Sequence, residues 1–371
     1  MRPAAPRTVH IVMPGTVADP AAPSGGNVYD LRVCRDLPGT GWEVQEHAVA
    51  GDWPQPGPAA RAELARILGG LPDGTAVLLD GLVACALPYI VVPQAQRLRL
   101  AVLVHLPLGD ETGLAPGRAA DLGALEGRTL RSARTVVATS AWAAGRLVEL
   151  HGLVPDRVHV AAPGADIAPL AASGDDGSRL LCVASVTPRK GQLRLVEALA
   201  RIGDLPWSCD CVGALDQDPE YADRLRESIE KLGVADRVHL LGARTGAQLD
   251  AGYGSADAMV LASYAETYGM AVTEALARGI PVLATAVGGV PEAVGQAPDG
   301  RVPGMLIDPD DPDDPEALTA ALRRWLGDPG LRRRLTAAAH ERRTALAGWA
   351  NTTRNLAGAL EQLLDEPRRA A

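Results

Sequence analysis

Two glutamates eight positions apart are the residues best suited to chemistry. Glu266 and Glu274 follow a short apolar run at 258–261, and a helical pattern covers 270–278. On one helix, eight positions would turn two side chains about 80° apart, so we expect Glu266 in the loop and Glu274 in the helix. Gly269 at the helix start lets a ligand approach the backbone closely, and the exposed amides there could hold a phosphate. The alternative is two surface glutamates on a helix and its cap.

Two cations follow the apolar run at 180–184. Thr187 suits a helix N-cap and Pro188 suits the first helical position, which predicts Arg189 and Lys190 in a first helical turn. Cations there oppose the helix dipole, and a bound anion would remove the penalty. A solvated basic turn is the alternative.

The first half of the chain carries two weaker signals. Gly25 and Gly26 lie between the run at 9–13 and a predicted helix, and paired glycines in that position let phosphate oxygens reach backbone amides. His105 ends the apolar run at 98–105. A plain turn and a structural histidine are the alternatives for these two features.

The elements that must position these residues follow one pattern throughout. Short Val/Leu/Ala runs alternate with helical segments, which is typical of parallel strands covered on both faces. The runs lie at 9–13, 44–49, 76–80, 98–105, 135–139, 158–161, 180–184, 207–212, 238–241, 258–261, 282–285 and 305–307. Two such sets in series predict an α/β protein with two doubly wound domains.

The domain boundary is predicted in the irregular segment 165–178. We expect domains at 1–168 and 169–348, and a final helix over 349–364 with leucines on one face. Ligands of open parallel sheets bind beyond the carboxyl ends of the strands, so we expect a cleft where two such sheets face each other.

Composition excludes several classes of protein. A net charge of −9 argues against a nucleic-acid partner, which needs a basic face, and against docking on anionic lipid. No window approaches the about 18 apolar residues of a membrane span, and the N-terminus lacks the apolar stretch of a signal peptide. Five cysteines without disulfide or zinc spacing suit a reducing cytoplasm.

Together these motifs resemble the family-four glycosyltransferases, which have the GT-B fold and act with retention. The spacing of Glu266 and Glu274 matches the E-x7-E signature of that family, and Lys190-Gly191 matches its basic helix start. The segments 275–282 and 288–292 match those that follow the signature. The resemblance covers most of the chain and is densest from Leu180 to Ile307. It also implies that the C-terminal segment 349–371 forms a helix that returns to the N-terminal domain.

The resemblance implies a role for each candidate residue. Glu274 would bind the donor ribose, Glu266 would lie against the transferred sugar, and Lys190 would neutralise the diphosphate. Gly269 and nearby amides, including those of Thr267 and Tyr268, would contact the sugar or the diphosphate. Gly25 and Gly26 would close on the diphosphate from the first domain, and His105 would lie beside the donor sugar.

One position departs from the family pattern. Relatives usually carry an arginine that binds diphosphate where this chain has Ser185, and Arg189 is the nearest cation that could replace it. A nucleotide-sugar epimerase or another GT-B enzyme, such as a glycoside phosphorylase, and a non-catalytic nucleotide-sugar binding protein stay open as alternatives. The resemblance favours a UDP-sugar as co-substrate and no other cofactor.

Two acidic segments bear on metal and acceptor. The aspartates at 308, 310, 311, 313 and 314 lie among prolines, and we interpret them as a solvated loop and expect no metal. Asp110 and Glu111 follow His105 on the side assigned to the acceptor. They predict a small, polar, soluble acceptor, including a cationic one such as an aminosugar, and a solvated acidic loop is the alternative.

Overall fold

The structure is a computed structural model that describes residues 7–19, 24–111, 113–172, 174, 176–309 and 315–365. The aspartates at 310, 311, 313 and 314, interpreted above as a solvated loop, lie outside the described residues. Every predicted apolar run is a strand, with bounds that differ by no more than two residues. The strands are β1 (Arg7–Pro14), β2 (Trp42–Val49), β3 (Ala76–Asp80), β4 (Arg99–Val104), β5 (Thr135–Ala138), β6 (Val158–Val160), β7 (Arg179–Val183), β8 (Ser208–Val212), β9 (Val238–Leu240), β10 (Ala258–Leu261), β11 (Val282–Thr285) and β12 (Gly304–Ile307).

Helices connect these strands and account for the periodic segments of the sequence. They are α1 (Gly25–Asp36), α2 (Pro58–Gly70), α3 (Gly81–Ala84), α4 (Pro88–Gln94), α5 (Pro116–Ser132), α6 (Ala141–His151), α7 (Gln192–Ala200), α8 (Pro219–Lys231), α9 (Gly246–Ser255), α10 (Met270–Ala277), α11 (Val290–Val294), α12 (Glu316–Gly327), α13 (Pro329–Arg343) and α14 (Trp349–Asp365). In the described part of the chain, no helix combines the length and apolarity needed to cross a membrane.

The chain forms two compact units, and the first contains 7–19, 25–163 and α14. Its six strands are parallel in the order β2-β1-β3-β4-β5-β6. The strand order changes direction between β1 and β3, the point where open α/β sheets bind ligands. All five residues of β3 are buried, because helices cover both faces of a parallel sheet.

The last helix belongs to this first unit. Leu356, Leu360 and Leu363 of α14 are buried, and the hydroxyl of Thr352 donates a hydrogen bond to the carbonyl of Ala162 at 2.7 Å. Arg99 at the start of β4 donates to the carbonyl of Leu363 at 2.7 Å. Apolar and polar contacts therefore both fix α14 to the first sheet.

The second unit contains 164–348. Its six parallel strands have the order β12-β11-β10-β7-β8-β9, which is the order of a dinucleotide-binding fold. The direction of this sheet changes between β7 and β10, so the loops after these two strands lie at its switch point. The doubly wound α/β architecture predicted from the sequence is confirmed for both units.

Candidate functional site

The switch point of the second sheet brings together two of the predicted site residues. Lys190 follows β7 and Glu266 follows β10, and these neighbouring strands pair through Leu180 with Ala258. The Lys190 ammonium donates a hydrogen bond to Glu266 Oε1 at 2.5 Å. Residues 76 positions apart in the sequence therefore form one ion pair at the carboxyl edge of the sheet.

The turn that carries Lys190 differs from the sequence prediction. Thr187 and Pro188 take the predicted N-cap and first helical positions, but they start a separate 3-10 helix, Pro188–Lys190, and α7 begins only at Gln192. Arg189 and Lys190 therefore do not lie in the first turn of α7. Gly191 separates the two elements with a φ of +67°. A Cβ on this glycine would lie 2.1 Å from the carbonyl oxygen of Ala262, so only glycine fits between the two loops.

Two cations surround one buried carboxylate at this site. Glu266 is 6% exposed, its Oε1 also accepts a hydrogen bond from Ser263 at 2.8 Å, and Arg189 Nη1 lies 3.6 Å from Oε2. Burial alone would raise the pKa of Glu266, but the positive charges of Lys190 and Arg189 lower it. These three side chains carry one positive charge in excess, which suits an anionic ligand.

Ser185 is the position that departs from the family pattern, and Arg189 follows it four residues later. The carbonyl of Ser185 accepts a hydrogen bond from Gln192 at 2.9 Å, so this residue serves the backbone of the loop. Arg189 donates to the carbonyl of Ala265 at 3.1 Å, which holds its guanidinium beside Glu266. A cation therefore lies beside Glu266 four residues after Ser185.

Glu274 lies in α10, as predicted, and has a partner that the sequence did not indicate. The hydroxyl of Tyr253 donates to Glu274 Oε2 at 2.8 Å. Burial raises the pKa of Glu274, although the hydrogen bond from Tyr253 and the charge of Arg278 act in the opposite direction. The carboxylate of Glu274 can accept hydrogen bonds, and the hydroxyl groups of a ribose would donate them.

The loop between the two glutamates ends at a left-handed glycine. Gly269 has a φ of +96° and precedes α10, and the amide of Gly289 donates to the carbonyl of Glu266 at 2.9 Å. A Cβ on Gly289 would lie 2.1 Å from the carbonyl of Thr267. The Tyr268 ring packs against the apolar core around α10 and α11, so its backbone, rather than its ring, suits a ligand contact.

In the first unit His105 joins two buried aspartates. His105 Nε2 lies 2.9 Å from Asp30 Oδ1 and 3.6 Å from Asp80 Oδ2. Asp30 belongs to α1, whereas Asp80 ends β3 and caps α3 by accepting from the Leu82 amide at 2.5 Å. Three elements at the carboxyl edge of the first sheet therefore meet at one imidazole.

The charges of this cluster depend on each other. Burial would lower the pKa of His105, but the attraction of Asp30 raises it to about 9. Burial and the neighbouring Asp30 raise the pKa of Asp80 well above its ordinary value. The pKa values of His105 and Asp80 therefore both depend on the neighbouring Asp30.

Asp30, Asp80 and His105 are also the one group, among the residues that the structure describes, whose oxygen and nitrogen atoms are close enough to hold a metal ion. Their atoms already serve one another, because His105 Nε2 bonds to Asp30 and lies 3.6 Å from Asp80, which accepts from the Leu82 amide. We therefore interpret the group as a hydrogen-bonded network.

Gly26 leaves room for the ring of His105. Gly25 and Gly26 are the first two residues of α1, and a Cβ on Gly26 would lie 3.2 Å from His105 Cδ2. In the sequence, the glycine pair and the histidine were two separate candidate features. The structure adds a reason for one glycine, which is the close approach of the imidazole.

The acidic segment after His105 is partly neutralised. Asp110 accepts two hydrogen bonds from Arg146, both at 3.1 Å, so its carboxylate is paired within the first unit, and its contact with an acceptor stays a prediction. Glu111 is exposed. Asp110 also lines a groove of about 360 Å³ with Gly109, Gly123, Glu126 and His151.

Sequence reasoning missed Asp30, Asp80 and Tyr253. Asp80 had a usable signal, since it ends a buried strand at the carboxyl edge of the sheet. Asp30 had a weaker one, because it lies four residues after Gly26 and therefore on the same face of α1. Nothing in the sequence pairs Tyr253 with Glu274, because the contact depends on how α9 packs beside α10.

Comparison with known proteins finds similar sequences and folds. Residues 171–342 match the family described as "Glycosyl transferases group 1". The D-inositol 3-phosphate glycosyltransferase of Salinispora tropica is 30% identical over 267 residues, which cover 66% of this chain and 54% of that protein. The enzyme of the same name from Frankia alni is 32% identical over 270 residues, or 68% of this chain and 63% of that protein. The chain thus spans little more than half the length of these relatives.

Solved structures show the same fold. Sucrose-phosphate synthase from Thermosynechococcus elongatus superposes with a TM-score of 0.77 at 22% identity, over 96% of this chain and 99% of that one. Anabaena HepE in complex with UDP and glucose gives 0.72 at 18% identity, over 96% and 100%. The fold is GT-B, and residues 171–342 are similar to the group 1 glycosyl transferases.

Proposed function

We propose that this chain is a retaining glycosyltransferase that moves a hexosyl group from a nucleoside diphosphate sugar to a small, soluble, polar acceptor. The observation that carries the proposal is the excess positive charge of Lys190 and Arg189 around Glu266. It lies at the switch point of the second sheet and within the matched segment 171–342. A UDP-sugar is the favoured donor, and the bound UDP of HepE supports that choice.

Each residue has a defined task in the reaction. The bond from the anomeric carbon to the β-phosphate oxygen breaks, and the acceptor oxygen forms the new bond on the same face of the sugar. The acceptor proton passes to the departing phosphate. Lys190 and Arg189 stabilise the negative charge that grows on that phosphate, Glu266 contacts the transferred sugar, and Glu274 binds the ribose.

No metal is needed in this scheme, because the side chains and the amides around Gly269 neutralise the diphosphate. His105 contacts the donor sugar in the same scheme. The five cysteines are buried and form no disulfide, which suits the cytoplasm as the place of reaction. Metal independence and location are parts of the proposal.

The acceptor is proposed to bind in the groove beside Asp110. The groove begins two residues after His105 and has the size of a small-molecule site, about 300–1,000 Å³. Its base holds the buried pair of Glu126 and His151, joined at 2.9 Å. The relatives are named for inositol 3-phosphate, a small polar cyclitol derivative, which supports an acceptor of this class.

Product mass tests the reaction directly. The chain is incubated with UDP-, GDP- and ADP-sugars, with inositol 3-phosphate and related polyols as acceptors, and the product mass is measured. We expect the acceptor mass plus one hexosyl residue, and no such product from Glu266→Gln. Conversion of the donor without acceptor would show an epimerase, and tight UDP binding with no product would show a binding protein.

A groove-filling variant tests the acceptor site. A side chain on Gly123 meets open space, as does one on Gly117 of the same helix, which does not line the groove. Gly123→Leu should raise the acceptor KM about tenfold and leave the donor KM unchanged, whereas Gly117→Leu should change neither. Equal acceptor KM values for the two variants would exclude the groove.

A further inference from the structure

One face of α1 surrounds the imidazole of His105. Gly26, Tyr29 and Asp30 have the spacing i, i+3, i+4, which places them on the same side of the helix. Tyr29 meets the imidazole edge-on, with ring centroids 5.2 Å apart, and its hydroxyl donates to the carbonyl of Ala161 at 2.8 Å. The ring of Tyr29 is thus itself held in place.

These contacts cover one edge of the imidazole and leave the other edge open. Gly26 lies against Cδ2 and Cγ, and Asp30 binds Nε2. Within the described residues Nδ1 has no hydrogen-bond partner. His105 keeps 21% of its side-chain surface exposed, so one edge of the ring remains for a ligand.

We propose that Asp30 is a positioning residue that holds Nε2 of His105 inward, so that Nδ1 is the atom presented to the substrate. The inference rests on the proposed function, in which His105 contacts the donor sugar. Asp30 itself touches no substrate and acts through the histidine alone. The structure thereby assigns a role to a residue inside a helix that otherwise serves packing.

The bond to Asp30 also decides what His105 can do. A histidine whose Nε2–H is donated to a carboxylate is stabilised in its charged form, and the charged ring carries a second proton at Nδ1. His105 therefore donates a hydrogen bond to an oxygen of the donor and does not accept a proton from the acceptor. Asp80 and Tyr29 also face this ring, and burial raises the pKa of both.

Nitrogen NMR tests the positioning role without donor or acceptor. Histidine labelled with ¹⁵N is incorporated into the full chain, which has seven histidines, and the signal that His105→Gln removes is that of His105. At pH 7 we expect both ring nitrogens of His105 to carry protons. In Asp30→Asn the signal should become that of a neutral ring, whereas Asp36→Asn, at the end of the same helix, should leave it unchanged.

Kinetics test the consequence for transfer. Asp30→Asn should lower kcat about tenfold or more, as loss of the carboxylate partner of a working histidine does in other enzymes, with donor KM changed less than threefold. Asp36→Asn should keep both values. Thermal unfolding of the two variants, compared with the parent, shows whether the loss of kcat comes from unfolding.

Two results would overturn the inference. The first is a neutral His105 in the parent that carries its proton at Nδ1. Its Nε2 would then have no proton to donate, which excludes the proposed hydrogen bond from Nε2 to a carboxylate. An unchanged His105 signal and unchanged kcat in Asp30→Asn would show that Asp30 only packs. If the expected spectra are found in a parent chain that transfers no sugar, the positioning role stands and the proposed function fails.

Discussion

The ammonium of Lys190 lies 2.5 Å from a carboxylate oxygen of Glu266, and this contact joins the loops after two neighbouring parallel strands. Arg189 approaches the same carboxylate from its other oxygen. A buried carboxylate with two cations keeps both cations in place before a ligand arrives. A diphosphate would then meet donors that need little rearrangement, which is the condition for strong electrostatic stabilisation.

Replacing Lys190 by Ala should weaken UDP binding far more than uridine binding, because the lost charge meets phosphate. A charged hydrogen bond contributes about 1.5–3 kcal/mol, which corresponds to roughly a ten- to hundredfold loss of affinity, measured by calorimetry. Lys231→Ala, an exposed lysine at the end of α8, is the matched control.

The same substitution leaves Glu266 buried with Arg189 as its remaining cation, so Lys190→Ala should also lower the unfolding temperature. Lys190→Ala combined with Glu266→Gln should recover part of that temperature and none of the UDP affinity. Equal losses for UDP and uridine would show that Lys190 does not contact phosphate.

Changing Glu274 to Gln should lower donor affinity about tenfold while the fold is kept, because the charge that strengthens hydrogen bonds from ribose is lost. Calorimetry with UDP and with its 2′- and 3′-deoxy forms measures the effect. The parent should bind the deoxy forms more weakly than UDP. The Glu274→Gln variant should bind the deoxy forms about as well as it binds UDP. Tyr253→Phe, which removes only the hydroxyl that donates to Glu274, is the control, and a deoxy penalty of equal size in parent and Glu274→Gln would place the ribose elsewhere.

The architecture followed from the sequence. Buried parallel strands are continuous apolar runs, so each strand was visible on its own, and Lys190 and Glu266 each follow one of these runs. The helix start at Thr187 and Pro188 was also visible, but its early end was not. Gly191, with its left-handed φ and its contact with the carbonyl of Ala262, ends that turn after three residues.

The cluster around His105 could not be predicted in the same way. Asp30 looks like an ordinary polar position of α1, and it is buried only because α1 packs over the ends of β3 and β4. Asp110 looked available in the sequence, and its pairing with Arg146 requires knowing how α6 lies beside the loop after β4. Partners brought together by packing between elements leave no pattern along the chain.

Transfer activity should survive EDTA, since Lys190, Arg189 and helix-terminal amides neutralise the diphosphate. The measurement compares initial rates in buffer, in excess EDTA, and in EDTA followed by Mg²⁺ or Mn²⁺. We expect rates within about twofold of each other. Loss in EDTA and rescue by metal would contradict the scheme, and it would direct attention to Asp30, Asp80 and His105, whose ligand atoms lie within 4.8 Å of one another.

The stability of the chain should fall below pH 6.5 because of two histidines on the first sheet. His10 Nδ1 lies 2.8 Å from His47 Nε2, and the rings stack with centroids 5.2 Å apart. Burial, followed by the charge of His47, lowers the pKa of His10 below 6.5, and burial, followed by the charge of Arg66, lowers that of His47. Two side chains of α2 act on His47: the charge of Arg66 lowers its pKa, and the charge of Glu63 raises it.

A histidine with a lowered pKa binds its proton less readily in the folded chain than in the unfolded one. Its contribution to stability is thus complete above pH 6.5 and is lost as the pH falls through the folded-state pKa. Interactions of partly exposed charges are on the order of 0.2–1 kcal/mol, so the effect is modest. Urea unfolding is measured at pH 7.5 and at pH 5.0, and the decrease of the midpoint between the two is compared. The decrease should be smaller for His47→Gln than for the parent. The control His340→Gln, which changes an exposed histidine of α13, should show the same decrease as the parent. If the midpoint decreases equally in the parent and in both variants, carboxylates alone account for the acid sensitivity and the histidine pair does not contribute.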